Sequence, residues 1–295
     1  MKRPRFLLVT LIFVLASILT ATVNAQQSVS IHLTLGNPSG ATDDVSNKDN
    51  FLMVKPQFVL SYNNSKGGPN WASWHLKATD IGKLDRGDFH ADTSLPAGFV
   101  RITKANYTNS GFDRGHVVNS KDRTANRINN NATFNMTNIL PQAPQSNQGP
   151  WKRLEDFERK LASAGNELYI VAGAFGAGGS GEIQTRKGRK LIKRTPVSAT
   201  KIAGGRVRVP KTFWKVIIVL PEGTSTITND TRAIAVCMPN KQGTRNVDWR
   251  KYVTTIRTVE GATGYDFLSE TPKSIQNAIE IRPDSEGTGI GNPCR

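Results

Sequence analysis

Cysteine is nearly absent from this chain: Cys237 and Cys294 are the only two in 295 residues. That is too few for a fold built from disulfides, and neither lies in a Cys/His spacing that makes a tetrahedral zinc site. Acidic residues are also scarce, with 23 Asp and Glu against 39 Lys and Arg. Beyond the N-terminal stretch no run is apolar enough for a membrane span of about 20 residues. Internal repeats and long low-complexity linkers are missing. The glycine-rich passage 173–181 is followed by no Gly-Lys-Ser/Thr and no convincing helix, which excludes a P-loop.

What is present begins with Lys2, Arg3 and Arg5, an apolar run from Phe6 to Leu19, and Val23-Asn24-Ala25. This is the layout of a secretory signal peptide over residues 1–25, with a retained anchor as the alternative. Cleavage after Ala25 leaves an exported, soluble chain with no stable membrane association. The formal charge is +16, of which Lys2, Arg3 and Arg5 account for three, leaving +13 for the remainder. A field of that sign gathers polyanions, whether nucleic acid, heparin-like polysaccharide or anionic membrane. In an exported chain Cys237 and Cys294 can bridge, tying the C-terminal tail to the body; two thiols are the alternative.

Residues 29–35 alternate apolar and polar side chains, which predicts a strand. Residues 58–62 and 71–76 form a predicted hairpin around turn chemistry at 63–70, and 167–172, 213–220 and 232–237 are further predicted strands, rich in β-branched residues. A helix is predicted over 151–164, with Pro150 at its start and Gly165 beyond its end; shorter helices are expected near 259–263 and 274–281. The pattern predicts an α+β fold with a central, largely antiparallel sheet flanked by helices, as one domain over residues 26–295. A basic segment, about 176–201, is expected to be a flexible surface loop. It carries Arg186, Lys187, Arg189, Lys190, Lys193 and Arg194, either a solvated face or a phosphate-backbone contact. A tail follows from about 283 to 295.

The chemistry concentrates between Gly111 and Arg159. In Asp113-Arg114-Gly115-His116 an imidazole that titrates near neutrality stands two residues from a guanidinium able to hold a phosphate. Trp151, Glu155 and Arg159 share one helical stripe, with Asn147 one turn earlier. An amide oxygen beside a carboxylate suits a hard cation that keeps most of its waters. From the helix alone, an exposed Glu–Arg pair is an equally good account.

Three motifs in order narrow this: Asp113-Arg114-Gly115-His116, Met136-Thr137-Asn138-Ile139-Leu140-Pro141-Gln142, and Asn147-Gln148-Gly149-x-Trp151-x-x-Leu154-Glu155-x-x-x-Arg159. Together they resemble the DNA/RNA non-specific endonuclease family, its cyanobacterial members most of all, over roughly residues 31–280. The resemblance implies a ββα-metal active site that hydrolyses phosphodiester bonds of DNA and RNA to 5′-phosphate products. His116 matches the general base that activates water. Asn147 matches the direct ligand of a Mg2+ ion (Mn2+ or another divalent ion being an alternative), and Glu155 the carboxylate that reaches the ion through water. Arg114, Arg159 and Arg86 match phosphate-binding arginines, and Asp113 a residue that orients the motif. For a secreted nuclease made inside a cell, an inhibitor protein is a further candidate partner.

Overall fold

A computed structural model describes residues 30–288 together with Pro293 and Cys294; the leader expected at 1–25 lies outside the described residues. Apolar and β-branched runs build the strands. In chain order these are β1 (Phe51–Lys55), β2 (Phe58–Asn63), β3 (Gly68–Leu76), β4 (Asp113–His116), β5 (Ile139–Gln142) and β6 (Asn166–Phe175). There follow β7 (Gly179–Lys187), β8 (Lys190–Ala199), β9 (Lys201–Ile202), β10 (Val207–Arg208), β11 (Thr212–Pro221), β12 (Arg232–Pro239) and β13 (Val253–Thr254). Seven of them form one sheet in the order β1-β2-β3-β6-β11-β12-β13, every neighbour antiparallel.

The middle of that sheet is buried on both faces, which is why β3 and β11 are buried almost end to end. One face carries Leu60, Trp74, Ile170, Ile217 and Ile234 and is covered by Trp151, Leu154 and Ala162 at the helix Lys152–Ser163. The other carries Val59, Trp71, Val171, Val216 and Ile218, covered by Ile256, Val259 and Ile279 from the helices Ile256–Thr263 and Lys273–Ile279. Each large apolar side chain removed from water there contributes about 1.5–3 kcal/mol. Cys237 of β12 is bridged to Cys294, Cα to Cα 5.1 Å and 57 residues apart, so the tail is fastened to the sheet.

Two expectations fail. The described part of 29–35 is a 3-10 turn, Ile31–Leu33, not a strand. Ser30 caps it by accepting from His32 N, and the His32 ring is drawn inward, Nε2 on Pro56 O at 3.0 Å and Nδ1 accepting from His75 N at 3.2 Å. Those bonds outweigh the alternation, and Ile31 is left half exposed.

The basic segment is an ordered antiparallel hairpin, β7 on β8, in place of the expected flexible loop. Ile183, Thr185, Thr195 and Val197 give it strand-forming side chains. Gly188 supplies a φ of 60° at the first position of its two-residue turn, glycine-first chemistry that matches the twist of the strands.

Candidate active site

Strand β4 pairs with β5 in the register Asp113↔Gln142 to His116↔Ile139, outside the main sheet. The buried Asn138 amide locks the exit from this ribbon: its Oδ1 accepts from Val118 N at 2.9 Å, and its Nδ2 donates to Val118 O and Thr133 O. Asn240 holds the far end, its side chain accepting from Ala143 N at 2.6 Å and donating to Pro141 O at 3.0 Å. The chain then turns through Asn147–Trp151 into the helix Lys152–Ser163, completing a ββα unit. Gly149 is required at that turn, because a Cβ would lie 2.7 Å from the Arg245 carbonyl oxygen.

His116 ends β4 with its ring 4.9 Å from Phe134, edge-on, and 5.1 Å from Phe89. Its Nε2 is buried and has no hydrogen-bond partner among the described residues. Burial, with a smaller push from the Arg86 guanidinium, lowers the imidazole from 6.5 to about 3, so it stays neutral and its ring nitrogen can accept a proton.

Asn147 faces Asp113 across the ribbon. Asp113 Oδ2 accepts from Asn147 Nδ2 at 2.8 Å and from Gln148 Nε2 at 2.9 Å. Gln148 in turn accepts from Arg245 at 3.1 Å. With its NH2 committed to a carboxylate, Asn147 turns its carbonyl oxygen elsewhere.

Below them lies a buried polar layer. Glu155 is 5% exposed, and burial raises its carboxyl above the usual range, opposed by Lys215, Asn119 and Arg159. Arg159 donates to Asp122 at 2.9 Å and to Asp156 at 2.7 Å; burial works against its charge, but Asp122 and Glu155 outweigh that and hold it firmly protonated. Lys215 and Glu158, both 0% exposed, pair at 2.9 Å, with the ammonium 4.5 Å from the Trp151 ring. Trp74 Nε1 donates to Asp122 at 3.1 Å.

The other two arginines stand over one ring: Arg114 lies 5.0 Å and Arg86 5.3 Å from the centre of Phe89. A cavity of about 180 Å3 is lined by Arg86, Arg114, His116, Asn147, Glu155 and Arg159 among others. A second of about 680 Å3 shares Arg86, Arg114 and Asn147 and includes Asp113 and Phe112 in its wall. All seven residues singled out in the sequence therefore converge on two contiguous hollows. Asn119, Asp122, Asp156, Glu158 and Lys215, which support them, were not singled out. Gln148 stood inside the third motif without a role.

With Lys121 and Lys152 also in the smaller wall, cations outnumber the single carboxylate of Glu155. Such a hollow favours a phosphodiester over a neutral or cationic ligand. A divalent metal fits the donors present. The Asn147 amide is oriented by Asp113, Glu155 is the carboxylate nearby in the same wall, and both are hard oxygen donors. Among the described residues no group of three or more His, Cys, Asp or Glu could enclose an ion by itself, so the fit is to a cation that retains much of its water.

Comparison with known proteins agrees with this geometry. A family model described as DNA/RNA non-specific endonuclease matches residues 37–274. A nuclease of Nostoc is 46% identical over 262 residues, covering 88% of each chain. Mitochondrial endonuclease G of Bos taurus is 26% identical, over 80% of this chain and 74% of its own. A chain in the crystal structure of an EndoG/EndoGI complex superposes with a TM-score of 0.64 at 23% identity, over 85% of this chain and 93% of that one, and so shares the fold.

Proposed function

This chain belongs to the DNA/RNA non-specific endonuclease family, a family of divalent-metal-dependent nucleases, and from that premise we propose that it hydrolyses DNA and RNA internally, with His116 as the base. The observation that carries the reading is the buried, unpartnered Nε2 of a neutral His116 in the same cavity wall as Asn147, Glu155 and three arginines.

His116 Nε2 takes the proton from the attacking water. Arg86, Arg114 and Arg159 neutralise the phosphate, and their preorganised charges meet the negative charge that grows on it during attack. Asp113 fixes the Asn147 amide so that its oxygen faces the ion site, and Glu155 steadies the ion from the opposite side through water. A Mg2+ ion bound there would supply Lewis-acid stabilisation of the phosphate and of the departing oxygen; Mn2+ is the alternative ion. Products carry 5′-phosphates. Recognition through arginines and backbone phosphates reads no base edges, which supports cutting without sequence preference in either sugar type.

We place residues 26–295 outside the cytoplasm as one nuclease domain, after removal of the leader at 1–25. EndoG itself is seen in complex with EndoGI. For this chain we propose a protein inhibitor that would cover the same cationic cavity.

The test is to incubate the chain from Gln26 onward with circular plasmid, single-stranded DNA and RNA, each with Mg2+, with EDTA, and with His116→Ala. Loss of all three substrates to wild type in Mg2+ only supports the reading. Plasmid that is shifted in a gel yet uncut in Mg2+ or Mn2+ overturns it.

A further inference from the structure

The β7–β8 hairpin lies outside the active-site ribbon and outside the main sheet. Its root is built into the cavity wall. Glu182 N donates to Gly111 O at 2.8 Å, and Ser180 N donates to Asn240 O at 3.1 Å. Gln242 N donates to Ser180 Oγ at 3.0 Å. Gly111 and Phe112 lead directly into Asp113, and Phe112 lines the larger hollow.

Beyond the root, the hairpin carries six cations against the single carboxylate of Glu182, a net of +5, and every one of the six is exposed. Arg194 is spent on Glu182 at 2.6 Å, and Arg186 is braced by Gln184 at 2.9 Å. Lys187, Arg189, Lys190 and Lys193 have no carboxylate partner among the described residues. Residues 179–199 contain no aromatic side chain on which a base could stack.

We propose that the hairpin is a phosphate-backbone arm for nucleic acid, holding the substrate at a distance from the scissile bond. This rests on the nuclease reading above. Six residues separate Gly181 at the root from Lys187 at the tip, a reach of about 20 Å. At about 3.4 Å per phosphate along a strand, that is roughly six base pairs from the cut. Cations at that distance add affinity without sequence preference, and they add it only for substrates long enough to reach them. Positive charge alone would also draw an anionic lipid surface, but the root against the cavity wall favours the molecule that the cavity takes.

The test uses the full chain with Lys187, Arg189, Lys190 and Lys193 all changed to Gln. Binding of a fluorescent 30-base-pair duplex, read by anisotropy in EDTA, should weaken at least about tenfold at low salt. The slope of log affinity against log salt should fall by about 2–3, near 0.9 per lost phosphate contact. The deficit should shrink with duplex length, to within about twofold at six base pairs. The thermal midpoint should stay at that of wild type, since these side chains are exposed. Unchanged affinity and salt slope on the long duplex would overturn the proposal. So would a variant that keeps its DNA affinity and loses binding only to phosphatidylserine vesicles. Because binding is read without metal, a wild type that binds but never cuts defeats the catalytic reading and leaves the arm standing.

Discussion

Asp113 Oδ2 accepts a hydrogen bond from Asn147 Nδ2 at 2.8 Å, joining the start of the ribbon to the mouth of the site helix across 34 residues. An ionised carboxylate cannot donate, so this contact settles which end of the Asn147 amide faces it. The carbonyl oxygen is thereby presented as a hard donor before any ion arrives.

Asp113→Ala should therefore raise the Mg2+ concentration for half-maximal cleavage about 10–100-fold, as loss of an outer-shell partner does at other metal sites. Saturating Mg2+ should recover most of the rate. A metal titration of plasmid cleavage decides it: unchanged metal dependence with a depressed maximal rate would show that Asp113 does something other than set the amide.

Burial first, and Arg86 second, lower the His116 imidazole from 6.5 to about 3. In the native protein the ring should stay neutral on acidification through pH 5, which NMR titration of its ring resonances will read; a midpoint near 6.5 would contradict the burial argument. The sign of the stability effect follows. Between about 3 and 6.5 the unfolded chain holds a proton on this histidine that the native chain does not, so stability rises with pH in that window and the penalty is gone above 6.5. Urea unfolding at pH 5 and pH 7 should show a smaller difference for His116→Asn than for wild type.

Lys215 and Glu158 are wholly buried and paired at 2.9 Å beneath the site helix. Burial raises the Glu158 carboxyl, and Lys215 opposes it. Removing one partner strands the other, so Lys215→Met should cost about 3–5 kcal/mol in chemical denaturation. Adding Glu158→Gln should recover part of that loss. Equal stability of the single and double variants would mean that the pair is not the cause.

The Cys237–Cys294 bridge closes a segment of 57 residues. By loop-closure entropy, replacing both with Ser should cost roughly 4 kcal/mol, seen as a lower denaturant midpoint for the variant and for the reduced wild type alike. A midpoint that does not respond to reductant would remove the bridge from the stability account.

Much of this was legible in the sequence. The central strands announced themselves through β-branched runs, and the site helix through Pro150 and Gly165. Motif order placed His116, Asn147 and Glu155 together. The support beneath them was not legible, because each contact joins residues remote in the chain: Arg159 to Asp122, 37 apart, and Lys215 to Glu158, 57 apart. Nothing local marks such partners, and a buried lysine on a strand looks, in sequence, like an exposed one. Residues 29–35 misled for the opposite reason. Their alternation is real, but His32 finds three hydrogen-bonded neighbours by turning inward.

Asn240 receives the hairpin through its backbone carbonyl and grips both sides of the β5 exit with its side chain. Tension applied to the arm is thus borne at the joint that seats the ribbon. With the hairpin as a lever and the cavity wall as its fulcrum, little slack separates grasp from cut, and a tethered polymer sliding through would tug on the catalytic strand itself.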